Sequence, residues 1–110
     1  MGGLTGVHQF CRIGAHAIIG GCSGIILDIP PYVKAQGNRA RLFGLNTVGL
    51  KRRNFPPEAV RHLKQAYRLL FLSGLTTTQA LERIATEVPA CAEIQHLVHF
   101  IKTSDRGITR

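Results

Sequence analysis

Acidic residues are scarce in the middle of this 110-residue sequence. Between Lys34 and Arg68 there are nine lysines and arginines but a single acid, Glu58, so this segment carries the whole formal net charge of +8. A localised basic face of one sign attracts anionic partners. We therefore expect a polyanionic or phosphate-bearing partner; the simpler alternative is a solvated surface that keeps the protein soluble.

Cysteines are also few, and they show no framework or CxxC spacing. The three are Cys11, Cys22 and Cys91. This pattern predicts free thiols in a reducing cytoplasm and no structural zinc site. The apolar run 17–29 is interrupted by glycines and carries Asp28, which makes it a poor membrane span. Met1 is followed by glycines instead of a basic region and an apolar core, so we expect no secretory signal.

Aliphatic residues recur every six positions near the start of the chain, at Val7, Ile13, Ile19 and Ile25. A small residue lies two positions before each, at Thr5, Cys11, Ala17 and Ser23. This is the hexapeptide pattern of a parallel β-helix, in which short strands alternate with tight corners and the aliphatic side chain points inward. We therefore expect residues 1–27 to form the last coils of such a β-helix.

The remaining chain divides into two further parts. Prolines and glycines break up residues 28–55, which we predict to be a basic irregular loop. Apolar residues at helical spacing predict a helical domain of about three helices over residues 56–110. Thr76 and Gln79 have the spacing of a capping box at the start of the second helix.

Few residues indicate a catalytic or binding role by themselves, and no Ser-His-Asp or Cys-His catalytic set can be identified from the sequence. His8 follows an inward aliphatic residue and should project outward beside Gln9. Two adjacent polar side chains can bind a sugar or a nucleotide through hydrogen bonds, although an ordinary surface histidine is the alternative. The basic run in residues 50–55 could grip phosphate, because arginine binds phosphate through a bidentate fork.

Several segments together resemble the C-terminal part of the bacterial UDP-N-acetylglucosamine acyltransferase family. In order they are VHQF, IIGGCSG, PPYVKAQGN, FGLN and LKRR, followed by a helical region that ends in RGITR. The resemblance implies a left-handed parallel β-helix followed by a small helical domain, in a cytoplasmic homotrimer with active sites between subunits. It also implies transfer of a 3-hydroxyacyl chain from acyl carrier protein to the 3-hydroxyl of UDP-N-acetylglucosamine. That reaction is the first step of lipid A biosynthesis, and no cofactor or metal is expected.

The resemblance also implies roles for single residues in substrate binding. His8 and Gln9 would line the cleft between subunits and contact the substrate. Asn46 would help to hold the nucleotide, with Arg53 near its phosphates. Family members often carry an acid where this chain has Val48.

Further implied roles concern the acyl donor and the catalytic base. Arg52 and Arg53 would meet the phosphopantetheine arm or the acidic carrier protein. Gly21 would end the acyl pocket, because a missing side chain leaves room for extra methylenes. The general-base histidine of the family would lie upstream of Met1, so we expect this chain to be inactive alone.

Two alternatives from other classes remain open. The chain could be a non-catalytic module for trimerisation or for binding acyl carrier protein. It could also be a small basic nucleic-acid binder, whose affinity would fall steeply with salt, although the resemblance implies no nucleic-acid partner. A related acyltransferase that acts on a later glucosamine intermediate is an alternative within the first class, but VHQF and LKRR favour the first enzyme.

Overall fold

The computed structural model describes residues 6–7, 11–21, 23–105 and 107–110. These residues form five short strands: β1 (Gly6–Val7), β2 (Ile18–Ile19), β3 (Gly24–Ile25), β4 (Val33–Gln36) and β5 (Arg41–Leu45). They also form four helices: α1 (Thr47–Arg52), α2 (Pro57–Phe71), α3 (Thr77–Glu87) and α4 (Ala92–Lys102). None of these helices has the length and apolar character needed to cross a membrane.

Strands β1 to β4 stack in parallel, and the first pair is offset by three hexads. β1 pairs with β3, and Gly6 lies opposite Gly24, eighteen positions or three hexads later. β2 pairs with β4, and Ile18 lies opposite Lys34, sixteen positions later. A further parallel bridge joins Gly24 to Asn38 over only fourteen positions. The hexad repeat therefore forms stacked coils, as predicted, and the coils shorten towards their end.

The aliphatic positions of the hexads supply the core of these coils, with one exception. Ile19 and Ile25 are 3% and 1% exposed and pack in one cluster with Ile29 and Val33. Ile13 remains 37% exposed, so the expectation of an inward side chain was wrong at this position. The physical reason is that Ile13 borders an open crevice beneath α4, although its backbone still forms a parallel bridge to Ile29. The side chain of Val7 lies outside the described residues.

The prediction of an irregular loop over residues 28–55 was wrong, because this segment contains β4, β5 and α1. β4 continues the parallel stack, and β5 returns beside it in antiparallel pairing. The glycines that suggested breaks instead shape this hairpin. Gly37, with a φ of 103°, lies in the turn, and Gly44, with a φ of 122°, lies opposite the irregularity between Lys34 and Ala35.

The three predicted helices of the last part are present as α2, α3 and α4. Pro57 occupies the first position of α2, where its missing N–H costs no hydrogen bond. The predicted capping box of α3 is confirmed, because Thr76 accepts from the Gln79 N–H and the Gln79 side chain accepts from the Thr76 N–H. Tyr67 of α2 packs against both the helical core and the core of the coils, and so links the two.

A buried carboxylate, Asp28, fastens the coils to the C-terminal segment. Asp28 is 2% exposed. The Arg12 backbone N–H donates to its Oδ1 at 2.7 Å, and the Ser104 hydroxyl donates to its Oδ2 at 2.6 Å. The Asp28 backbone also donates to the Gly107 carbonyl at 2.9 Å and accepts from the Thr109 N–H at 2.8 Å. One residue thus orders the meeting point of three chain segments.

Arg12 reinforces the same junction through its side chain. Its guanidinium lies over the Phe100 ring, 4.3 Å from the centroid. It also donates to the Phe100 carbonyl at 2.9 Å and to the Thr103 hydroxyl at 3.1 Å. Because these acceptors lie at the end of α4, the contacts hold that helix end against the first described coil.

Candidate functional site

A cavity of about 240 Å³ lies between the coil that contains β2 and the short helix α1. Its lining residues are His16, Ala17, Ile18, Asn46, Gly49 and Arg53. Two residues predicted from the sequence, Asn46 and Arg53, are therefore brought together at the two ends of α1. The third predicted residue of this region, Arg52, is the exposed last residue of α1 and does not line the cavity.

The side chain of Asn46 connects α1 to the coil. Its Oδ1 accepts a hydrogen bond from the Gly49 N–H at 3.2 Å and thereby caps α1. Its Nδ2 donates to the His16 carbonyl at 2.9 Å. A primary amide has two N–H donors and two acceptor lone pairs. Asn46 is thus held in a fixed orientation and retains one donor and one lone pair with which to contact a ligand.

Gly49 leaves the space that the Asn46 amide occupies, so we expect Gly49→Ala to destabilise the protein. The added Cβ would lie 2.4 Å from the Asn46 Nδ2. Displacing that amide removes a cap and a hydrogen bond, each worth about 1 kcal/mol. A Gly→Ala change within a helix by itself stabilises the folded protein by about 0.5–1 kcal/mol. The free energy of unfolding, measured with urea, should therefore fall by about 1 kcal/mol. As a control, Val48→Ala at an exposed neighbouring position should change it by no more than about 0.5 kcal/mol.

His16 was not singled out from the sequence as a site residue, yet it forms one wall of the cavity. It adopts a left-handed φ of 59°. Its ring stacks on Tyr32 at 5.9 Å between centroids and meets the edge of Phe55 at 4.9 Å. A signal does exist in the sequence, because histidine is several-fold enriched among non-glycine residues with positive φ. A histidine at a corner of a hexad repeat is therefore a reasonable candidate for such a turn.

Tyr32 supports this wall as a neutral aromatic ring. Burial, followed by the nearby Glu93 carboxylate, raises the pKa of Tyr32 to about 12. Because this pKa exceeds the ordinary value of 10.0, the stabilising effect of the neutral phenol is complete below pH 10 and is lost as the pH rises through 12. At physiological pH the ring beneath His16 is therefore uncharged.

Exposed basic side chains are frequent on α1 and α2. Six exposed bases lie on α1, just after it, or on α2: Lys51, Arg52, Arg53, Arg61, Lys64 and Arg68. We call these six residues the basic face. The three on α2 follow helical spacing and so point to one side of that helix. None of the six forms an ion pair with another described residue, so their charges remain open to an anionic partner.

The other predicted site residues are placed as follows. Gly21 is exposed in the turn that follows β2. His8 and Gln9 lie outside the described residues, so their roles stay predictions. Within residues 6–7, 11–21, 23–105 and 107–110, no three His, Cys, Asp or Glu side chains are grouped so as to hold a metal ion.

Comparison with known proteins places this architecture in one family. Residues 28–109 match the model of the Udp N-acetylglucosamine O-acyltransferase family, domain 2. One curated relative is the acyl-(acyl-carrier-protein)–UDP-N-acetylglucosamine O-acyltransferase of Myxococcus xanthus. It is 50% identical over 108 residues, which cover 98% of this chain and 42% of the relative. The corresponding enzyme from Thiobacillus denitrificans is 47% identical over 110 residues, which are 100% of this chain and 43% of the relative.

Solved structures agree with the sequence matches. The crystal structure of the UDP-N-acetylglucosamine acyltransferase from Bacteroides fragilis superposes with a TM-score of 0.93 at 42% identity, covering 96% of this chain and 42% of that one. The chain therefore belongs to the UDP-N-acetylglucosamine O-acyltransferase family. It spans about two-fifths of the length of the curated relatives it matches.

Proposed function

We propose that these 110 residues form the C-terminal part of an enzyme that transfers a 3-hydroxyacyl chain from acyl carrier protein to the 3-hydroxyl of UDP-N-acetylglucosamine. This is the first step of lipid A biosynthesis, in the cytoplasm. The family match supports the reaction class, and one structural observation carries the assignment of the site: Asn46 and Arg53 line a single cavity against the coil. The coils would belong to a left-handed β-helix, and a homotrimer would complete each active site with a neighbouring subunit.

In this proposal the cavity holds the nucleotide part of the acceptor. The remaining N–H donor and acceptor lone pair of the Asn46 amide can form hydrogen bonds with the hydroxyls and carbonyls of a nucleoside. Arg53 supplies a cation for the diphosphate. His8 and Gln9 would contact the sugar from the neighbouring side of the cleft. The histidine that lines the cavity, His16, packs its ring against Tyr32 and Phe55. We assign the general base not to His16 but to another part of the full-length enzyme, as the family resemblance implies. We therefore expect the 110-residue chain alone to show no transfer.

The test of this assignment separates the two substrates. It uses an enzyme of full family length that carries these residues as its C-terminal part. We expect Arg53→Ala to raise the KM for UDP-N-acetylglucosamine about tenfold or more, because a charged hydrogen bond to phosphate contributes ~1.5–3 kcal/mol. Arg83→Ala, which removes an exposed arginine paired with Glu87, is the matched control and should leave this KM unchanged. An unchanged KM in Arg53→Ala would contradict the nucleotide site.

The basic face would dock the acidic acyl carrier protein, with Arg52 and Arg53 nearest the phosphopantetheine arm. Exposed ion pairs contribute ~0.2–1 kcal/mol each. Replacing Arg61, Lys64 and Arg68 together with glutamine should therefore lower kcat/KM for the acyl carrier substrate by about tenfold. The same variant should keep its kcat/KM with an acyl-pantetheine that lacks the protein. An equal loss with both donors would contradict docking on this face.

Gly21 would set the acyl-chain length, since a buried methylene is worth ~0.8 kcal/mol and a side chain at this position would take up that space. We expect Gly21→Met, in the full-length enzyme, to shift the preferred acyl chain to a shorter one. The measurement is the ratio of kcat/KM values across carrier substrates of increasing chain length. Unchanged chain preference in an active variant would remove Gly21 from this role.

A further inference from the structure

Helices α3 and α4 leave an apolar groove of about 230 Å³ between them, on a part of the molecule that the proposed reaction does not use. The residues that line it are Leu81, Ile84, Ala85, Val88, Ala90, Ile94, Gln95, Val98 and Lys102. They include a single charged residue, Lys102. Most of the lining side chains are apolar, yet the residues of the groove belong to no predicted site.

The spacing of apolar residues explains how the groove forms. On α3, Leu81, Ile84 and Ala85 lie on neighbouring turns of one side of the helix, and on α4 Ile94 and Val98 do the same. Ile84 and Ile94 also reach the helical core and are 1% and 3% exposed. Leu81 and Val98 are only half-buried and form the upper walls. Each helix thus presents more apolar surface than the core can cover.

The two ends of the groove differ. Val88 and Ala90 line the groove at the connection between the helices. Lys102, in the last turn of α4, lies eight residues beyond Ile94, which corresponds to ~12 Å along the helix axis. Lys102 is exposed and forms no ion pair within the part of the chain that the structure describes. The groove is therefore apolar along the helices and has an unpaired cation near the end of α4.

These features fit an amphiphile with an anionic head. The volume exceeds the ~150 Å³ of an apolar cavity that binds benzene, but it lies below the ~300–1,000 Å³ of pockets for drug-sized molecules. A single unbranched alkyl chain matches that size. We propose that the α3–α4 groove binds a medium-chain fatty acid as its carboxylate, with the tail along the helices and the head at the Lys102 ammonium. This proposal does not depend on acyl transfer by the protein.

The first test is calorimetric titration with butyrate, hexanoate and octanoate. Affinity should rise about fourfold per added methylene, or about fifteenfold per step of two, because each buried methylene contributes ~0.8 kcal/mol. Octylammonium, which has the same tail with a positive head, should bind at least tenfold more weakly than octanoate. Affinity that is independent of chain length, or equal for both heads, would overturn the proposal.

Variants then locate the site. Lys102→Gln should weaken octanoate binding about fivefold or more, whereas Lys102→Arg should retain it. Lys34→Gln removes an exposed lysine from β4 and is the matched control, with unchanged affinity expected. Val98→Phe should fill the groove and abolish binding, with circular dichroism confirming that the helices persist. Equal weakening by the two glutamine variants would show nonspecific attraction to the positive chain and would refute the site.

Nuclear magnetic resonance of the unmodified protein gives a readout that needs no substitution. Octanoate should shift the methyl signals of Leu81 and Val98 and leave those of Val48, on α1, in place. The same experiment with apo acyl carrier protein identifies the competing occupant, an amphipathic acidic helix. Shifts at Leu81 and Val98 with the carrier protein but none with octanoate would assign the groove to a protein partner and overturn the proposal.

Discussion

Gly14→Ala is expected to lower the free energy of unfolding by about 3 kcal/mol or more, the upper part of the range for overpacking a rigid interior. A Cβ at this position would lie 2.2 Å from the Pro31 nitrogen, 2.5 Å from its Cα and 2.7 Å from the Pro30 carbonyl carbon. All three are backbone atoms, and the proline rings restrict their rotation. The Gly14 N–H also donates to the Ile29 carbonyl at 2.7 Å, which fixes the approach of the two coils.

Gly6→Ala is the matched control for this substitution. Gly6 also belongs to the stacked coils, but a Cβ there would meet nothing within 4 Å of the described atoms. We expect unchanged stability or a gain of up to about 1 kcal/mol, because alanine restricts the unfolded chain. Urea unfolding followed by circular dichroism measures both variants. Equal midpoints for Gly14→Ala and Gly6→Ala would mean that the close approach of the coils is not a constraint.

Asp28→Ala should destabilise the protein by about 3 kcal/mol. The substitution leaves two donors without an acceptor, the Arg12 backbone N–H and the Ser104 hydroxyl, and an unsatisfied buried group costs ~1–3 kcal/mol. The ion pair of Asp28 with Arg12 adds little, because it spans 3.9 Å and the arginine side chain is 43% exposed. Unsatisfied hydrogen bonds, and not lost charge attraction, therefore determine the size of the effect.

Two further variants test that reasoning. Asp28→Asn keeps an oxygen for the Arg12 N–H and should lose about half as much stability as the alanine variant. Asp105→Ala removes an exposed carboxylate and should stay within about 0.5 kcal/mol. Guanidinium midpoints decide between the explanations. Equal losses in Asp28→Asn and Asp28→Ala would attribute the effect to charge.

Short-range sequence patterns predicted the parallel stacking of the coils and the start of α3. The hexads determined the parallel stacking, because a coil of three flat faces repeats after eighteen residues, as Gly6 and Gly24 do. The capping box at Thr76 fixed the start of α3. The hairpin of β4 and β5 could not be predicted in this way, since it depends on pairing with an earlier coil. Gly37 and Gly44 are compatible with a loop or a turn, and only the neighbouring strand selects between them.

The candidate site shows the same division. Asn46 and Arg53 were predicted from a resemblance of short segments, and they line one cavity. The hydrogen bond from the Asn46 Nδ2 to the His16 carbonyl could not be predicted from the sequence, because the two residues are thirty positions apart. Arg52 and Arg53 are adjacent in sequence, yet the end of α1 turns only Arg53 towards the cavity.

The shortening of the coils has a consequence for how the molecule can grow. A parallel stack of equal coils ends in an open strand edge that could recruit another molecule in the same register. Here the outer edge of β4 is occupied by β5, which runs in the opposite direction, and the Leu42 N–H of β5 in turn donates to the Arg110 carbonyl at 3.3 Å. The coils of a second molecule would find neither a parallel strand edge nor an eighteen-residue coil with which to continue the backbone hydrogen bonds. At this end, the antiparallel pairing of β5 with β4 blocks fibre formation by end-to-end addition, and the exposed Arg41 of β5 adds charge to the same edge.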